Sequence, residues 1–290
     1  MLLRHIRYLL AVAEHRNFTR AAEALHVSQP TLSQQIKQLE DVLGAPLFDR
    51  SGRTVRLTDA GEAYVRYARL ALQDLEAAKR AMHDVQDLTR GSLRLAMTPT
   101  FTAYLIGPLL ARFNSLYPGL TLSVEEMTQD QIEAALAEDR LDLGIAFTGS
   151  HLADIDSQTL FAETLSLVVS EAHPGFVRQQ SLDAQALGQQ SLVLLSSDFA
   201  TRQHIDLYCR QQGIAPRIAI EANSISAIVE IVRRGHLATI LPEAITHALP
   251  GLRPLALQPP LPQRTVALLS RKGAYRSAAS EAFRALVSVQ

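Results

Sequence analysis

The sequence predicts an α/β chain headed by an all-α part, and three observations carry that prediction. Residues 17–56 hold two short apolar periodicities joined by a tight turn and followed by a basic hairpin. Residues 59–88 hold a proline-free heptad pattern. Beyond Gly91, strand-like and helix-like segments alternate to the C-terminus. The organisation expected is a winged helix-turn-helix over 1–58, a linker and dimerisation helix over 59–90, and a two-lobe domain over 91–290. Lobe one takes in about 91–161 and 265–290, and lobe two about 162–264.

A first helix presents Ile6, Leu9, Leu10 and Ala13 to a small core. A second is predicted over 19–25, with Thr19 capping its orphan N–H groups and Phe18 closing over the first turn. Ala21 and Ala22 allow close approach of another helix, and Leu25 joins the core. His26, Val27 and Ser28 make the short turn that lets two helices cross.

The third helix starts from Ser28 as N-cap, with Pro30 in the first turn, where its missing N–H costs little. Leu32, Ile36, Leu39 and Leu43 define its buried face. The outward residues are Gln29, Pro30, Thr31, Ser33, Gln34, Gln35, Lys37 and Gln38, with no acid before Glu40. Amides, hydroxyls and one cation suit the base edges and phosphates of a major groove. The plain alternative is a solvated Gln-rich helix. The next segment argues against it: Gly44 stops the helix, Leu47 and Phe48 return to the core, and Arg50, Arg53 and Arg56 surround a Ser51-Gly52 tip. Arginines so placed meet phosphates beside the groove.

In the linker, Tyr64, Ala71, Ala78 and Val85 repeat every seven residues, and Ala68, Leu75 and Met82 do so on the adjacent seam. Arg66, Arg69, Asp74, Glu76, Lys79 and Arg80 occupy the hydrated side. A helix about 45 Å long would bury one stripe, and a second copy is the expected cover.

Arg90, Gly91 and Ser92 mark the boundary. Strands are then expected over 93–97, 120–125, 141–147, 166–169, 191–195, 217–221, 238–241 and 264–269. Helices are expected over 103–117, 131–138, 201–211, 225–233 and 277–287. Such alternation predicts parallel sheets flanked by helices, in two lobes with crossing connections.

Ligands of such sheets sit beyond the C-terminal strand ends, beside helix N-termini. That points to Thr98, Pro99, Thr100, Phe101 and Thr102 in one lobe and Ser196, Ser197, Phe199 and Thr201 in the other, with Phe147 and Thr148 completing the wall. Asn223 is expected to line the hinge. These hydroxyls are also ordinary helix caps. With no Lys and with Arg202 the only Arg nearby, a small monoanion fits better than a bulky dicarboxylate.

Composition bounds the rest. At 290 residues, 47% hydrophobic and 20% charged, the chain is an ordinary globular protein. Its net charge of -1 hides a local excess: residues 1–58 carry eight Lys/Arg against five Asp/Glu. A small basic module on a mildly acidic body fits local phosphate contact. Cys209 is the only cysteine, which excludes an intrachain disulfide. His5, His15 and His26 lack metal-ligand spacing, and neither metal nor cofactor is expected. No membrane span or export signal is read, so the cytoplasm is the expected location. H-E-x-x-H, P-loop and G-x-S-x-G patterns are absent, and no enzyme is expected.

The runs Phe18-Thr19-Arg20-Ala21-Ala22, Val27-Ser28-Gln29-Pro30-Thr31-Leu32-Ser33, Leu39-Glu40, Leu47-Phe48-Asp49-Arg50 and Leu57-Thr58-Asp59-Ala60-Gly61 resemble the LysR-type transcriptional regulators. The resemblance spans the whole chain in length. It implies linker helices that pair two subunits, assembly into a tetramer, contact with promoter DNA and RNA polymerase, and a fold like periplasmic binding proteins with an effector cleft between the lobes. Stretches 48–57, 87–95 and 221–227 are similar to the branch of that family that activates in response to cyanate, which makes cyanate the first expected effector. The alternative inside the family is an aromatic or other organic acid. The distant one is a solute-binding protein on the same two-lobe fold.

Overall fold

Local capping chemistry organises the N-terminal part of the computed structural model, which describes residues 3–51, 54–83, 88, 90–149, 152–177 and 179–288. The chain forms two compact units, Met1–Met82 and His83–Gln290. In the first, α1 (Leu3–His15) buries Ile6, Leu9 and Val12. Helix α2 (Phe18–Ala24) starts one residue before the expected position. Asn17 Oδ1 accepts from the Thr19 and Arg20 N–H groups at 2.8 and 3.0 Å, so Asn17 is the cap and Thr19 lies inside the helix. Helix α3 (Gln29–Leu43) is capped by Ser28 as expected and ends at Gly44, whose φ of 69° suits glycine. Leu32, Ile36 and Leu39 are fully buried. Leu43, expected beside them, is 37% exposed in the last turn and lies outside that core.

Strands β1 (Phe48–Asp49) and β2 (Arg56–Leu57) pair antiparallel as the wing. Thr58 then anchors the next helix: its hydroxyl donates to the Pro46 carbonyl and accepts from the Gly61 N–H. A Cβ at Gly61 would strike the Leu47 carbonyl, so glycine is required there. Helix α4 (Asp59–His83) spans about 37 Å at 1.5 Å per residue. Its first turns pack within their own unit, Val65 and Ala68 being buried beside Tyr64 and Leu72. Tyr67, Ala71, Leu75 and Ala78 are exposed. Val85 and the side chains of Lys79, Arg80 and Met82 lie outside the described residues.

The second unit runs β3 (Gly91–Met97), α5 (Pro99–Thr102), α6 (Ile106–Leu116), β4 (Leu120–Glu126), α7 (Gln129–Ala137), β5 (Leu143–Phe147) and β6 (Ile155–Glu163). It crosses over to β7 (Leu165–Ser170), β8 (Ser181–Asp183), α8 (Ala184–Gly188), β9 (Ser191–Leu195), α9 (Ala200–Gln212), β10 (Arg217–Ala222), α10 (Ile225–Arg234), β11 (Thr239–Pro242), α11 (Glu243–Ala248) and β12 (Leu252–Gln258). It returns through β13 (Arg264–Arg271) and ends in α12 (Ala278–Val287).

The first lobe's sheet has the order β4-β3-β5-β13-β6. Strand β3 is parallel to β4 and β5, whereas β13 is antiparallel to both β5 and β6. The expected parallel sheet is therefore mixed, because its last strand comes back from the other lobe. The second lobe carries the sheet β11-β7-β12-β8 and the parallel pair β9-β10, linked by a bridge between Leu192 and Ala238. The helix expected over 103–117 is α6, which starts three residues later, and a separate short helix, α5, precedes it. Strand β12, which was not expected, contains Pro254, a residue that weakens any strand reading. Phe101, Phe113 and Phe283 fill one face of the first sheet. Ile132, Leu136 and Leu269 cover the other. No helix of the described residues is long and apolar enough to cross a membrane.

Candidate DNA-binding and effector sites

The N-cap that starts α3 also shapes its outer face. Ser28 Oγ lies 2.7 Å from Thr31 Oγ1 and accepts the Thr31 N–H, so both hydroxyls are oriented at the helix tip. Gln29, Pro30, Thr31, Gln34, Lys37 and Gln38 are exposed and Ser33 is half-buried. Not all the amides are equally available. Gln35 accepts from Arg4 at 2.9 Å and donates to Gln38 Oε1 at 2.8 Å, which ties it to α1 and engages one end of Gln38. The side chains of Gln29 and Gln34 make no hydrogen bond among the described residues and are the free amides of the face.

The wing is built from Glu40, which was not singled out in the sequence beyond its place in a motif. Its Oε1 accepts the Leu47 and Phe48 N–H groups, and its Oε2 holds Arg50 at 2.8 Å. Arg50 also lies over the Phe18 ring, 4.9 Å from its centroid. Arg50 thus locks wing to helix, while Arg56 on β2 stays exposed. Gly52 and Arg53 lie outside the described residues.

In the second unit, the strand directions bring one end of each crossing strand to the same place. Because β13 runs antiparallel to β5, its first residue, Arg264, comes to the C-terminal end of β5, where Phe147 sits. Because β6 is antiparallel to β13, Glu163 pairs with Arg264 in register. Arg264 Nε donates to Glu163 Oε2 at 2.6 Å, its Nη1 donates to Thr201 Oγ1 of the other lobe at 2.9 Å, and its guanidinium lies 3.8 Å from the Phe147 ring centroid. The Tyr104 hydroxyl donates to the second oxygen of Glu163 at 2.6 Å. Burial, then Glu163's charge, raises the Tyr104 pKa and keeps its hydroxyl protonated. Burial lowers Arg264, and Glu163 opposes that.

Around this pair, Thr98 and Thr100 are buried with their hydroxyl oxygens 3.5 Å apart, and Thr98's side chain caps nothing. Phe101 packs on Phe147, ring centroids 5.3 Å apart. Gln129 fixes the Phe147 backbone from both sides, accepting its N–H and donating to its carbonyl.

Comparison with known proteins assigns both units. Residues 3–62 match the family model for the bacterial regulatory helix-turn-helix protein, lysR family, and residues 86–289 match the LysR substrate binding domain. The chain belongs to the LysR family of transcriptional regulators. It is 31% identical over 279 residues to the hydrogen peroxide-inducible genes activator of Dickeya chrysanthemi, covering 94% of this chain and 90% of that one. Among solved structures it resembles a full-length OxyR variant from Pseudomonas aeruginosa, at TM-score 0.70 and 28% identity over 99% of this chain and 94% of that one. CbnR complexed with its target DNA shares the fold, at TM-score 0.63 and 24% identity over 99% of both chains. LysR-type regulators bind DNA through the first unit and carry an effector-binding domain in the second; they are not enzymes.

Within this LysR-type chain, several residues expected at the cleft have other duties. Thr102 donates to the Pro99 carbonyl at 2.7 Å and serves its own turn. Ser197 is exposed and Ser196 half-buried at the end of β9. Asn223 is not at the hinge: it follows edge strand β10, beside Ser196, whose N–H bonds the Ala222 carbonyl. The crossing segments are instead β6 to β7 and β12 to β13. Arg202, expected as the only arginine nearby, is occupied by Asp206, Glu221 and the Leu195 carbonyl. The arginine between the lobes is Arg264, with Glu163, Tyr104 and Gln129 as further residues that sequence reasoning passed over. Cys209 is buried, and burial followed by Asp206 raises its thiol pKa.

Proposed function

We propose that this regulator is an activator whose unit at 1–58 reads promoter DNA, whose linker at 59–90 pairs two copies through α4, and whose unit at 91–290 binds a small anion between its lobes. In this reading Ser28, Gln29, Pro30, Thr31, Ser33, Gln34, Lys37 and Gln38 face the major groove, and Arg50, Arg53 and Arg56 approach phosphates. The observation that carries the DNA reading is the exposed face of α3, free of acids from Gln29 to Gln38, beside a wing anchored to the same helix by Glu40. Dimer pairing is supported by the apolar stripe left open on α4, where Tyr67 is 64% and Leu75 47% exposed. Two copies present two recognition helices to separated half-sites, and a tetramer doubles that array. An activator that repositions these contacts has RNA polymerase as its downstream partner. The 31% identical relative from Dickeya chrysanthemi is a hydrogen peroxide-inducible genes activator, which agrees with activation.

For the effector, Thr98, Thr100 and Thr201 with Phe147 offer hydroxyls around a guanidinium already neutralised by Glu163. A single small anion suits that balance better than a dicarboxylate, and cyanate is the first ligand to test. Ser196, Ser197, Thr102 and Asn223 complete the proposed set at its edge. An effector acts only through unequal affinity for two quaternary arrangements. An intrachain disulfide is not open to this chain as a sensing device, because it has one cysteine and that thiol is buried.

The deciding experiment is footprinting and fluorescence anisotropy on the chain's own upstream DNA at fixed salt, with and without cyanate. A shortened footprint with cyanate, unmatched by azide or benzoate, supports the reading. A response to benzoate alone replaces cyanate with an organic acid, and no specific binding defeats the proposed docking.

A further inference from the structure

At the end of the first lobe's sheet opposite Arg264, α12 faces the start of β6 and the end of β13 across a cavity of about 440 Å³. A volume of that order admits a small metabolite. Its charged lining is two guanidiniums, Arg276 and Arg284, and two carboxylates, Asp156 and Glu281. Ser157 and Ser270 add hydroxyls over a floor that includes Leu268.

The cations here are incompletely matched. Arg284, with 12% of its side chain exposed, donates from Nη1 to Gln158 Oε1 at 3.3 Å, yet its buried Nε has no hydrogen-bond acceptor among the described residues. The nearby carboxylate oxygen, Glu281 Oε1, is 3.9 Å from that nitrogen, and Arg276 Nη1 approaches the same oxygen at 3.5 Å. One carboxylate is thus stretched between two cations. Burial lowers the Arg284 pKa and the like charge of Arg276 lowers it further, against Glu281 and Asp156. A buried charged donor without an acceptor is costly, and a carboxylate is its natural partner. A plain anion would also meet Asp156 and Glu281, and a plain cation would meet the arginines. A ligand bearing both signs meets neither repulsion.

We propose that this pocket binds a small zwitterion of the α-amino-acid class, its carboxylate on Arg284 Nε and Arg276 and its ammonium on Asp156. The site is separate from the interlobe cleft, so it gives the second unit a second input.

The test is calorimetric titration of the full-length protein with glycine and L-serine, beside acetate, methylamine and inorganic phosphate. Saturable binding of the two amino acids, about tenfold tighter than acetate or methylamine, is expected, a difference of about 1.4 kcal/mol. Arg284→Gln and Asp156→Asn should each lose at least that factor, with unchanged circular dichroism, while Thr100→Val in the cleft should bind as before. Should Arg284→Gln fail to fold, the exposed position Asp156 decides. Equal binding of acetate or phosphate, absence of amino-acid binding, or loss in Thr100→Val instead would each overturn the assignment.

Discussion

Replacing Arg264 by Met tests whether the inter-lobe arginine holds the second unit together. The side chains of Arg264 and Glu163 are 7% and 4% exposed. Without the cation, Glu163 keeps, among the described residues, one hydroxyl partner, Tyr104, for a buried carboxylate. Deleting one member of a buried pair costs about 3–5 kcal/mol, because the survivor stays desolvated and uncompensated. The lost Thr201 bond falls within that range rather than adding to it. Against a domain stability of about 5–15 kcal/mol this is a large share. With a urea m-value of about 2–3 kcal/mol per molar, the midpoint of the second unit should fall by about 1–2 M. The chain has no tryptophan, so circular dichroism and tyrosine fluorescence are the probes. Two units call for separately fitted transitions, and the N-terminal one, far in the chain from Arg264, is the internal control. Adding Glu163→Gln should recover part of the loss, since a neutral pair no longer strands a charge. A shift below about 1 kcal/mol, or a double variant as weak as the two losses summed, would refute the buried-pair argument.

Further outcomes follow from the other sites. Gln34→Ala should cost about 1–3 kcal/mol at the cognate site with little change on random DNA, whereas Arg56→Ala should weaken all sequences and reduce the salt slope by about one; competition anisotropy separates the two. Leu75→Glu, placed on the open stripe of α4, should move the sedimentation profile from dimer toward monomer without unfolding either unit. Cys209→Ser should leave the footprint unchanged with and without hydrogen peroxide, and a peroxide response lost in this variant would restore the redox reading. Burial lowers His204 from its ordinary 6.5, with Arg264's charge adding and the Pro262 carbonyl opposing. The unfolded chain therefore takes up a proton that the folded one resists, so stability drops as pH falls below 6.5, and His204→Gln should flatten that slope in urea titrations.

The DNA-reading unit was legible in the sequence because its determinants are local. Ser28 caps the helix three residues before the hydroxyl it orients, Gly44 ends it, and Leu32, Ile36 and Leu39 keep strict helical spacing. The errors there were also local, and small: Asn17 and Thr19 are both good caps, and only the backbone bonds choose Asn17. In the linker, heptad spacing read the whole stripe as one interface, whereas Tyr64 and Ala68 pack within their own unit and the open part begins later.

The cleft was legible only in half, and strand direction explains which half. Parallel strands put their following residues beyond the strand ends by rule, and that rule picked Thr98, Thr100, Phe147 and Thr201, of which Phe147 and Thr201 touch Arg264. An antiparallel return strand puts its leading residue there instead, and β13 delivers Arg264 in that way. No pattern near Arg264 signals this, since its partners Glu163, Thr201 and Phe147 are 101, 63 and 117 residues away in sequence. The consequence is chemical as well as topological. A cleft read as nearly free of cations favoured a small anion because arginine was lacking. The structure places Arg264 there, and the proposal of a small anion now rests on Glu163, which pairs with that arginine.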